Sequence, residues 1–264
     1  MQAALSPATI EEAASSLYEA ERTQRAIPPL VDTYEGLSVD EAYRIQLALI
    51  DRKLREGARV VGHKIGLTAV AMQQLLGVDQ PDFGHILDTM MVQDGSAVDR
   101  SELIYPRVEG EITFLLKEDL RGPGVTVARV LAATEYVMPS LEIVDSRIAD
   151  WRIKLADTIS DNASSCRMVV GGRCLKPDAF DLRLVGMILE KNGEIINSAT
   201  GAAVLGNPAQ AVAWLANTLA AFDVTLKAGE VILPGALTAA ITVQAGDSVR
   251  ATFDHLGSVS VRFA

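Results

Sequence analysis

Three glutamates in largely apolar segments have the spacing that best suits metal chemistry. Glu109 and Glu111 are two residues apart in the segment 106–112, so on a strand both side chains would point to the same face. Adjacent carboxylates repel each other unless a cation or a proton lies between them. Glu142 lies in the apolar segment 138–144, where an unpaired carboxylate would be costly. Together they predict an all-oxygen site for Mg²⁺ or Mn²⁺, with positions left open for water and substrate.

Each of these glutamates also has a purely structural explanation. Glu109 and Glu111 would equally suit a strand face that is exposed to water. A salt bridge to Arg107 or Arg147 would neutralise Glu142 without any metal. Zinc is disfavoured because no histidine or cysteine stands near the glutamates in the sequence.

Two segments combine glycine with a charged side chain. Lys64 lies near the end of a predicted strand in the segment 62–68, where a lysine beside a metal could hold an anionic carboxylate. The commoner alternative is a lysine that faces solvent. Asp82 lies in the segment 80–85, in which proline and glycine predict a turn, and an aspartate in such a turn is often only a capping group.

A polar loop precedes an apolar strand near residue 166. The segment 157–164 is rich in short hydrogen-bonding side chains, among them Asp161, Asn162 and Ser164. It is either an ordinary surface loop or a loop that lies over the metal site and binds polar atoms of a substrate.

The elements that must position these residues change in character near residue 57. Capping-box patterns at Thr9 and Glu12 and at Ser38 and Glu41 predict two helices in a helical N-terminal segment, residues 1–57. A mainly β catalytic body, residues 58–264, is predicted from short apolar runs separated by Gly, Pro and Asp. Strands are predicted over 60–65, 111–116, 140–144, 166–170, 184–190, 231–233, 249–253 and 259–263. Helices are predicted over 69–76, 127–134 and 209–221, and a tight hairpin over 191–194. The predicted fold class is α+β.

Composition excludes several classes of function. With 49% hydrophobic residues the chain can bury a core, and its net charge of −10, without a basic stripe, argues against nucleic acid as a partner. The longest apolar stretch, 202–222, is too polar to span a membrane, and the first residues do not have the form of an export signal. Two cysteines cannot form a disulfide framework. We therefore expect a soluble, cytoplasmic protein.

Six separated segments resemble, in order, the 2-hydroxypenta-2,4-dienoate hydratases of the fumarylacetoacetate-hydrolase superfamily. They are 62–68, 81–84, 109–111, 142–147, 161–164 and 257–259. The resemblance implies a mixed β-sheet roll, bound Mg²⁺ or Mn²⁺, a homo-oligomer, and addition of water to a small 2-hydroxydienoate. It also places the metal ligands on Glu109, Glu111 and Glu142, the same residues that strand alternation and burial indicate.

The resemblance also suggests roles for the other candidates. Asp82 is the candidate for proton transfer or water activation, and Lys64 for carboxylate binding or proton donation. The loop that carries Asp161, Asn162 and Ser164 would bind the substrate.

Two other functions share parts of this pattern. The related 4-oxalocrotonate decarboxylases have the same Glu-x-Glu and Asp-Asn-Ala-Ser motifs, but His63 and Asp82 favour the hydratases, and His63, Asp82 and His85 are expected to handle water and protons near the metal. The short segment 148–156 favours a five-carbon substrate or a 5-alkyl analogue over a seven-carbon diacid. The third possibility is a non-catalytic metal-binding scaffold for an enzyme of the same pathway.

Overall fold

Three helices lie at the start of the chain, where the sequence predicts two; the short helix over residues 30–33 was not predicted. They are α1 (Pro7–Thr23), α2 (Leu30–Thr33) and α3 (Val39–Arg55). The computed structural model describes residues 4–69, 73, 78 and 80–264. The helix predicted over 69–76 falls largely outside the described residues. Within the described part of the chain, no helix has both the length and the apolar character needed to cross a membrane.

Capping residues set the starts of the two long N-terminal helices. Ser38 and Glu41 form the predicted capping box of α3, in which each side chain meets the other residue's backbone N–H. The box predicted at Thr9 and Glu12 is wrong, because α1 begins earlier and the side chain of Ser6 accepts a hydrogen bond from the Thr9 N–H.

An apolar interface joins these helices to the rest of the protein. Ile10 and Leu17 of α1 pack with Ile45 and Leu49 of α3, and Ile148 of the body completes the cluster. The change from helices to strands falls between the end of α3 and residue 60. The division of the chain into 1–57 and 58–264 stays a prediction.

The described residues of the body form two β-sheets and three further helices. The strands are β1 (Val60–Gly66), β2 (Asp82–Leu87), β3 (Met91–Gln93), β4 (Ala97–Val98), β5 (Arg107–Leu116), β6 (Thr134–Val144), β7 (Ser165–Val170), β8 (Gly186–Lys191), β9 (Glu194–Thr200), β10 (Val231–Leu233), β11 (Ile241–Thr242), β12 (Ser248–Phe253) and β13 (Gly257–Phe263). The helices are α4 (Val127–Ala133), α5 (Leu155–Ser160) and α6 (Pro208–Leu219).

Both sheets are mixed, which confirms the predicted α+β class. The larger sheet has the order β2-β1-β10-β5-β6-β7-β3, with β11 also paired to β5, and the smaller has the order β4-β13-β12-β8-β9. β1 pairs with β10, β3 with β7 and β4 with β13 in parallel, while the other pairs are antiparallel. The predicted hairpin joins β8 to β9, with positive φ at Asn192 and Gly193.

The two faces of β5 have different environments. Val108, Ile112 and Phe114 are fully buried in the main apolar core. Gly110 lies on the same face, where an added Cβ would come within 3.2 Å of Met187 in the smaller sheet. The odd-numbered residues of β5 therefore face the opposite side of the larger sheet, where the candidate site lies.

Candidate metal centre and active site

Strand pairing brings the three candidate glutamates together. In the β5–β6 register Glu109 is directly opposite Glu142, and Glu111 is two residues further along the same face of β5. One carboxylate oxygen from each of the three lies within 4.8 Å of the others. Glu111 and Glu142 are fully buried, whereas Glu109 is half-buried, so the cluster is open to solvent on the Glu109 side.

The electrostatics of this cluster suit a bound cation. Burial and the neighbouring carboxylate of Glu142 raise the pKa of Glu109 to about 7, and they raise that of Glu111 well above its ordinary value. Among the described residues Glu111 Oε1 is buried without a hydrogen-bond partner, and Glu142 Oε2 likewise has no hydrogen bond, although it lies 3.3 Å from Lys64 Nζ. Unsatisfied carboxylate oxygens facing one another are the donor set that a hard divalent cation requires, so these residues fit such a metal.

Two further contacts orient the glutamates, and neither was predicted from the sequence. Ser165 Oγ donates a hydrogen bond of 2.9 Å to Glu142 Oε1, and the Gly235 N–H donates one of 2.8 Å to Glu111 Oε2. Gly235 has a φ of 116°, and an added Cβ would lie 2.1 Å from Thr68 Oγ1. Only glycine fits there, and the Pro-Gly pair after the predicted strand 231–233 was the available signal.

Lys64 is buried beside the glutamates, so the solvent-facing alternative is wrong. Its Nζ donates to the carbonyl of Ala163 at 3.1 Å and lies 3.3 Å from Glu142 Oε2. Burial acts to lower the pKa of Lys64, but the charges of Glu142 and Asp82 outweigh it and raise the pKa. Lys64 is therefore held in its protonated form. This ion pair replaces the salt bridge considered between Glu142 and an arginine.

Asp82 begins a strand instead of forming the predicted turn. It is paired with Gly66 in the β1–β2 register and is almost fully buried. Its Oδ2 accepts a hydrogen bond of 3.3 Å from Thr158 Oγ1, and its Oδ1 has no hydrogen-bond partner among the described residues. Burial raises the pKa of Asp82, although the charge of Lys64 opposes the shift.

The loop between α5 and β7 contains one turn of left-handed backbone. Asn162, Ala163 and Ser164 have φ values of 53°, 50° and 54°, a conformation that costs roughly 1–2 kcal/mol for each residue with a side chain. The Asn162 side chain holds the turn in place, since its amide bonds to the backbone N–H and C=O of His85 at 2.8 and 2.9 Å. The turn presents the Ala163 carbonyl to Lys64 and leaves Ser164 Oγ buried without a partner among the described residues.

Asp161 is committed to a buried ion pair, which does not fit its predicted contact with substrate. Its carboxylate accepts hydrogen bonds from the side chain and the backbone N–H of Arg147, and both residues are almost fully buried. Arg147 also donates to the carbonyls of Asp145, Asp161 and Ser165. Of the three loop residues named as substrate-binding, Ser164 is the one with an unused polar atom.

His63 and His85 do not lie with the metal ligands as expected. They are paired across β1 and β2, with ring centroids 5.1 Å apart. Because neighbouring side chains on a strand point to opposite faces, His63 faces away from Lys64. Burial and the neighbouring His63 lower the pKa of His85 to about 3, so that ring is neutral. Strand alternation correctly predicted that Glu109 and Glu111 share a face. The same rule, applied to His63 and Lys64, would have placed them on opposite faces.

Comparison with known proteins agrees with this geometry. Residues 60–264 match the family described as fumarylacetoacetate (FAA) hydrolase, C-terminal. The chain is 48% identical over 256 residues to 2-hydroxyhexa-2,4-dienoate hydratase of Comamonas testosteroni, covering 96% of this chain and 97% of the relative. It is 47% identical over 259 residues to 2-keto-4-pentenoate hydratase of Paraburkholderia xenovorans (strain LB400), covering 98% and 96%.

A solved structure extends the similarity to the whole fold. The 4-oxalocrotonate decarboxylase from Pseudomonas putida G7, complexed with magnesium and adipate, superposes with a TM-score of 0.97 at 38% identity, covering 100% of both chains. The matched family spans most of the sequence, and the relatives align over nearly its full length. The chain belongs to the fumarylacetoacetate hydrolase family.

Proposed function

We propose that the protein is a divalent-metal-dependent hydratase that converts 2-hydroxypenta-2,4-dienoate, or a close 5-alkyl analogue, into 4-hydroxy-2-oxopentanoate or its homologue. The observation that carries the proposal is the cluster of three glutamates beside Lys64 and Asp82. It occurs in a chain that is nearly half identical to two hydratases named for such substrates. This reaction belongs to the breakdown of aromatic compounds by ring cleavage.

Glu109, Glu111 and Glu142 would hold Mg²⁺ or Mn²⁺. When bound, the cation supplies Lewis-acid stabilisation of the negative charge that develops on the substrate's oxygen. The remaining chemistry is proton transfer. The proton of the 2-hydroxyl is lost and C5 gains one, which gives an unsaturated 2-oxo acid; water then adds at C4, and C3 takes a proton.

The protein's own side chains are suited to different parts of this sequence. Asp82 has one carboxylate oxygen without a partner in the described part of the chain and a raised pKa, so it can accept and return a proton, and we assign it proton transfer or water activation. Lys64 is paired with Glu142 and has a raised pKa, which suits carboxylate binding or proton donation. Ser164 Oγ is available to bond a polar atom of the substrate.

We extend the proposal to the assembly of the protein. β9 is the edge strand of the smaller sheet, and Ile195 and Ile196 are exposed on it. Such an edge favours contact with a second copy, so we propose a homo-oligomer, which could also associate with an enzyme of the same pathway. Light scattering on the purified protein, with and without Ile195→Lys, tests the homo-oligomer.

The competing enzymatic function is decarboxylation of 4-oxalocrotonate, which the high structural similarity to the decarboxylase favours. The two are separated by identifying products. Supplied with 2-hydroxypenta-2,4-dienoate and Mg²⁺, the protein should yield 4-hydroxy-2-oxopentanoate, and supplied with 4-oxalocrotonate it should release little carbon dioxide. Rapid carbon dioxide release without hydration would assign the chain to the decarboxylases. Metal binding without turnover of either compound would indicate a scaffold.

A further inference from the structure

A cation shares the face of β5 that carries the metal glutamates. Arg107 is two residues before Glu109, so strand alternation points its side chain to the same side of the sheet. At about 3.4 Å per residue, its Cα lies about 7 Å along the strand from that of Glu109. Both residues are half-buried, which places Arg107 on the solvent-open side of the cluster.

The guanidinium of Arg107 lies over the Trp151 ring, and its N–H groups have no acceptor among the described residues. Its Cζ lies 4.3 Å from the centroid of the Trp151 ring, and Trp151 Nε1 is fixed by a hydrogen bond of 2.9 Å to the Tyr105 carbonyl. Among the residues that the structure describes, none forms a hydrogen bond or salt bridge with the Arg107 side chain. The cation–π contact restricts the position of the guanidinium and leaves its N–H donors available to another group.

The other cations near the site are already paired. Lys64 contacts Glu142 and the Ala163 carbonyl, and Arg147 is saturated by Asp161 and backbone carbonyls. An anionic substrate must approach a cluster of carboxylates on a chain of net charge −10. Arg107 is partly desolvated, lies beside that cluster and has available donors. It is therefore suited to offset this repulsion and to bind a carboxylate through two parallel hydrogen bonds.

We propose that Arg107, stacked on Trp151, binds a carboxylate of the substrate at the entrance to the metal centre. The inference rests on the proposed function for the identity of the substrate and adds the residue that recognises its anionic group. That group is either the C1 carboxylate, which every 2-hydroxydienoate carries, or a terminal carboxylate, which only a dicarboxylic substrate carries. The chemistry of recognition is the same in both cases.

Ligand binding to the Mg²⁺-loaded protein tests the proposal without turnover. The probes are 2-oxohexanoate and 2-oxohexanedioate, which have equal chain length and differ in the terminal carboxylate. Arg107→Met should weaken binding about tenfold, the lower end for a hydrogen-bonded charge pair because the site is half-exposed. A loss shared by both probes identifies the C1 carboxylate, and a loss confined to 2-oxohexanedioate identifies the terminal one. Unchanged binding of both probes would overturn the proposal.

Further variants separate recognition from damage to the site. Arg152→Met, which removes an exposed arginine from the neighbouring segment, should leave both affinities unchanged. Trp151→Leu should weaken binding by about threefold, because it removes the stacking but not the charge. Arg107→Met should leave the Mg²⁺ affinity of the ligand-free protein unchanged or slightly tighter, since it removes a positive charge. Weakened Mg²⁺ binding would instead mean that Arg107 supports the glutamates, and the proposal would fail.

A failure of the Arg107 proposal can be distinguished from a failure of the hydratase assignment. If the wild-type protein does not hydrate the dienoate but Arg107→Met still weakens binding of the probes, the carboxylate site is supported and the protein catalyses a different reaction. If the wild-type protein hydrates the dienoate and Arg107→Met binds both probes with unchanged affinity, the inference about Arg107 is wrong while the hydratase assignment stands.

Discussion

The buried ion pair between Arg147 and Asp161 should determine the stability of the loop that reaches the metal centre. Replacing Arg147 by Met removes the donors to the Asp161 carboxylate and to three backbone carbonyls while keeping a side chain of similar length. The aspartate is then left buried without a cation and keeps only the backbone N–H of residue 147 and the Ser146 hydroxyl as donors. Breaking a buried pair from one side typically costs about 3–5 kcal/mol, so we expect a loss of that size in the free energy of unfolding.

Thermal unfolding in the absence of metal measures this loss. For a chain of this length about 1 kcal/mol corresponds to roughly 2 °C, so the midpoint should fall by about 6–10 °C. Arg152→Met is the matched control, because Arg152 is exposed a few residues away, and it should change stability by less than about 0.5 kcal/mol.

A double variant tests whether the pair itself is responsible. Adding Asp161→Leu to Arg147→Met removes the orphaned charge, so more than half of the lost stability should return. A single-variant cost below about 1 kcal/mol, or a double variant whose loss equals the sum of the two single losses, would refute the reasoning. In the first case water or a rearranged backbone would have to satisfy the carboxylate of Asp161.

Two other substitutions test the site, and a third tests the buried histidine behind it. Glu142→Gln keeps the shape but removes one carboxylate charge, so calorimetric Mg²⁺ affinity should fall by more than the roughly 10- to 100-fold typical of outer-sphere partners; normal affinity would make Glu142 structural. Asp82→Asn should lower turnover by about 10²- to 10⁴-fold with little change in the affinity for 2-oxopentanoate, and a parallel loss of affinity would point to binding instead. The pKa of His85 is lowered to about 3, so the folded state does not bind the proton that the unfolded chain takes up below about pH 6.5. The His85 contribution to stability should therefore fall continuously from about pH 7 to about pH 3, and His85→Gln should reduce that decrease in denaturant titrations.

Local patterns were enough to predict much of the fold. The alternation of side chains along a strand placed Glu109 beside Glu111, and the apolar surroundings of Glu142 indicated that it needed a partner. The capping box at the start of α3 and the turn between β8 and β9 are likewise determined by a few adjacent residues. Such features need only short-range backbone geometry, which is why they can be inferred from a single sequence.

The remaining features depend on contacts between distant parts of the chain. The Pro-Gly pair marks Gly235 as an unusual backbone position, but it does not indicate that the Gly235 N–H donates to Glu111, which is 124 residues away. The same holds for Arg147, which was considered only as an alternative partner of Glu142 and which is paired with Asp161 in the structure. Choosing between carboxylates requires knowing which strands are neighbours and which face is buried, and strand order is a property of the whole chain.

The position of β10 has a consequence for biosynthesis. This strand is made late, yet it pairs in parallel with β1 on one side and antiparallel with β5 on the other. On the ribosome, β1–β2 and β5–β6–β7 can each fold as a hairpin or meander, but both keep an open edge until Val231–Leu233 has emerged. Through most of translation the nascent chain therefore carries two unpaired strand edges, with Lys64 still separated from the acidic cluster. A chain that stalls before Val231 should be an aggregation-prone species that depends on chaperones.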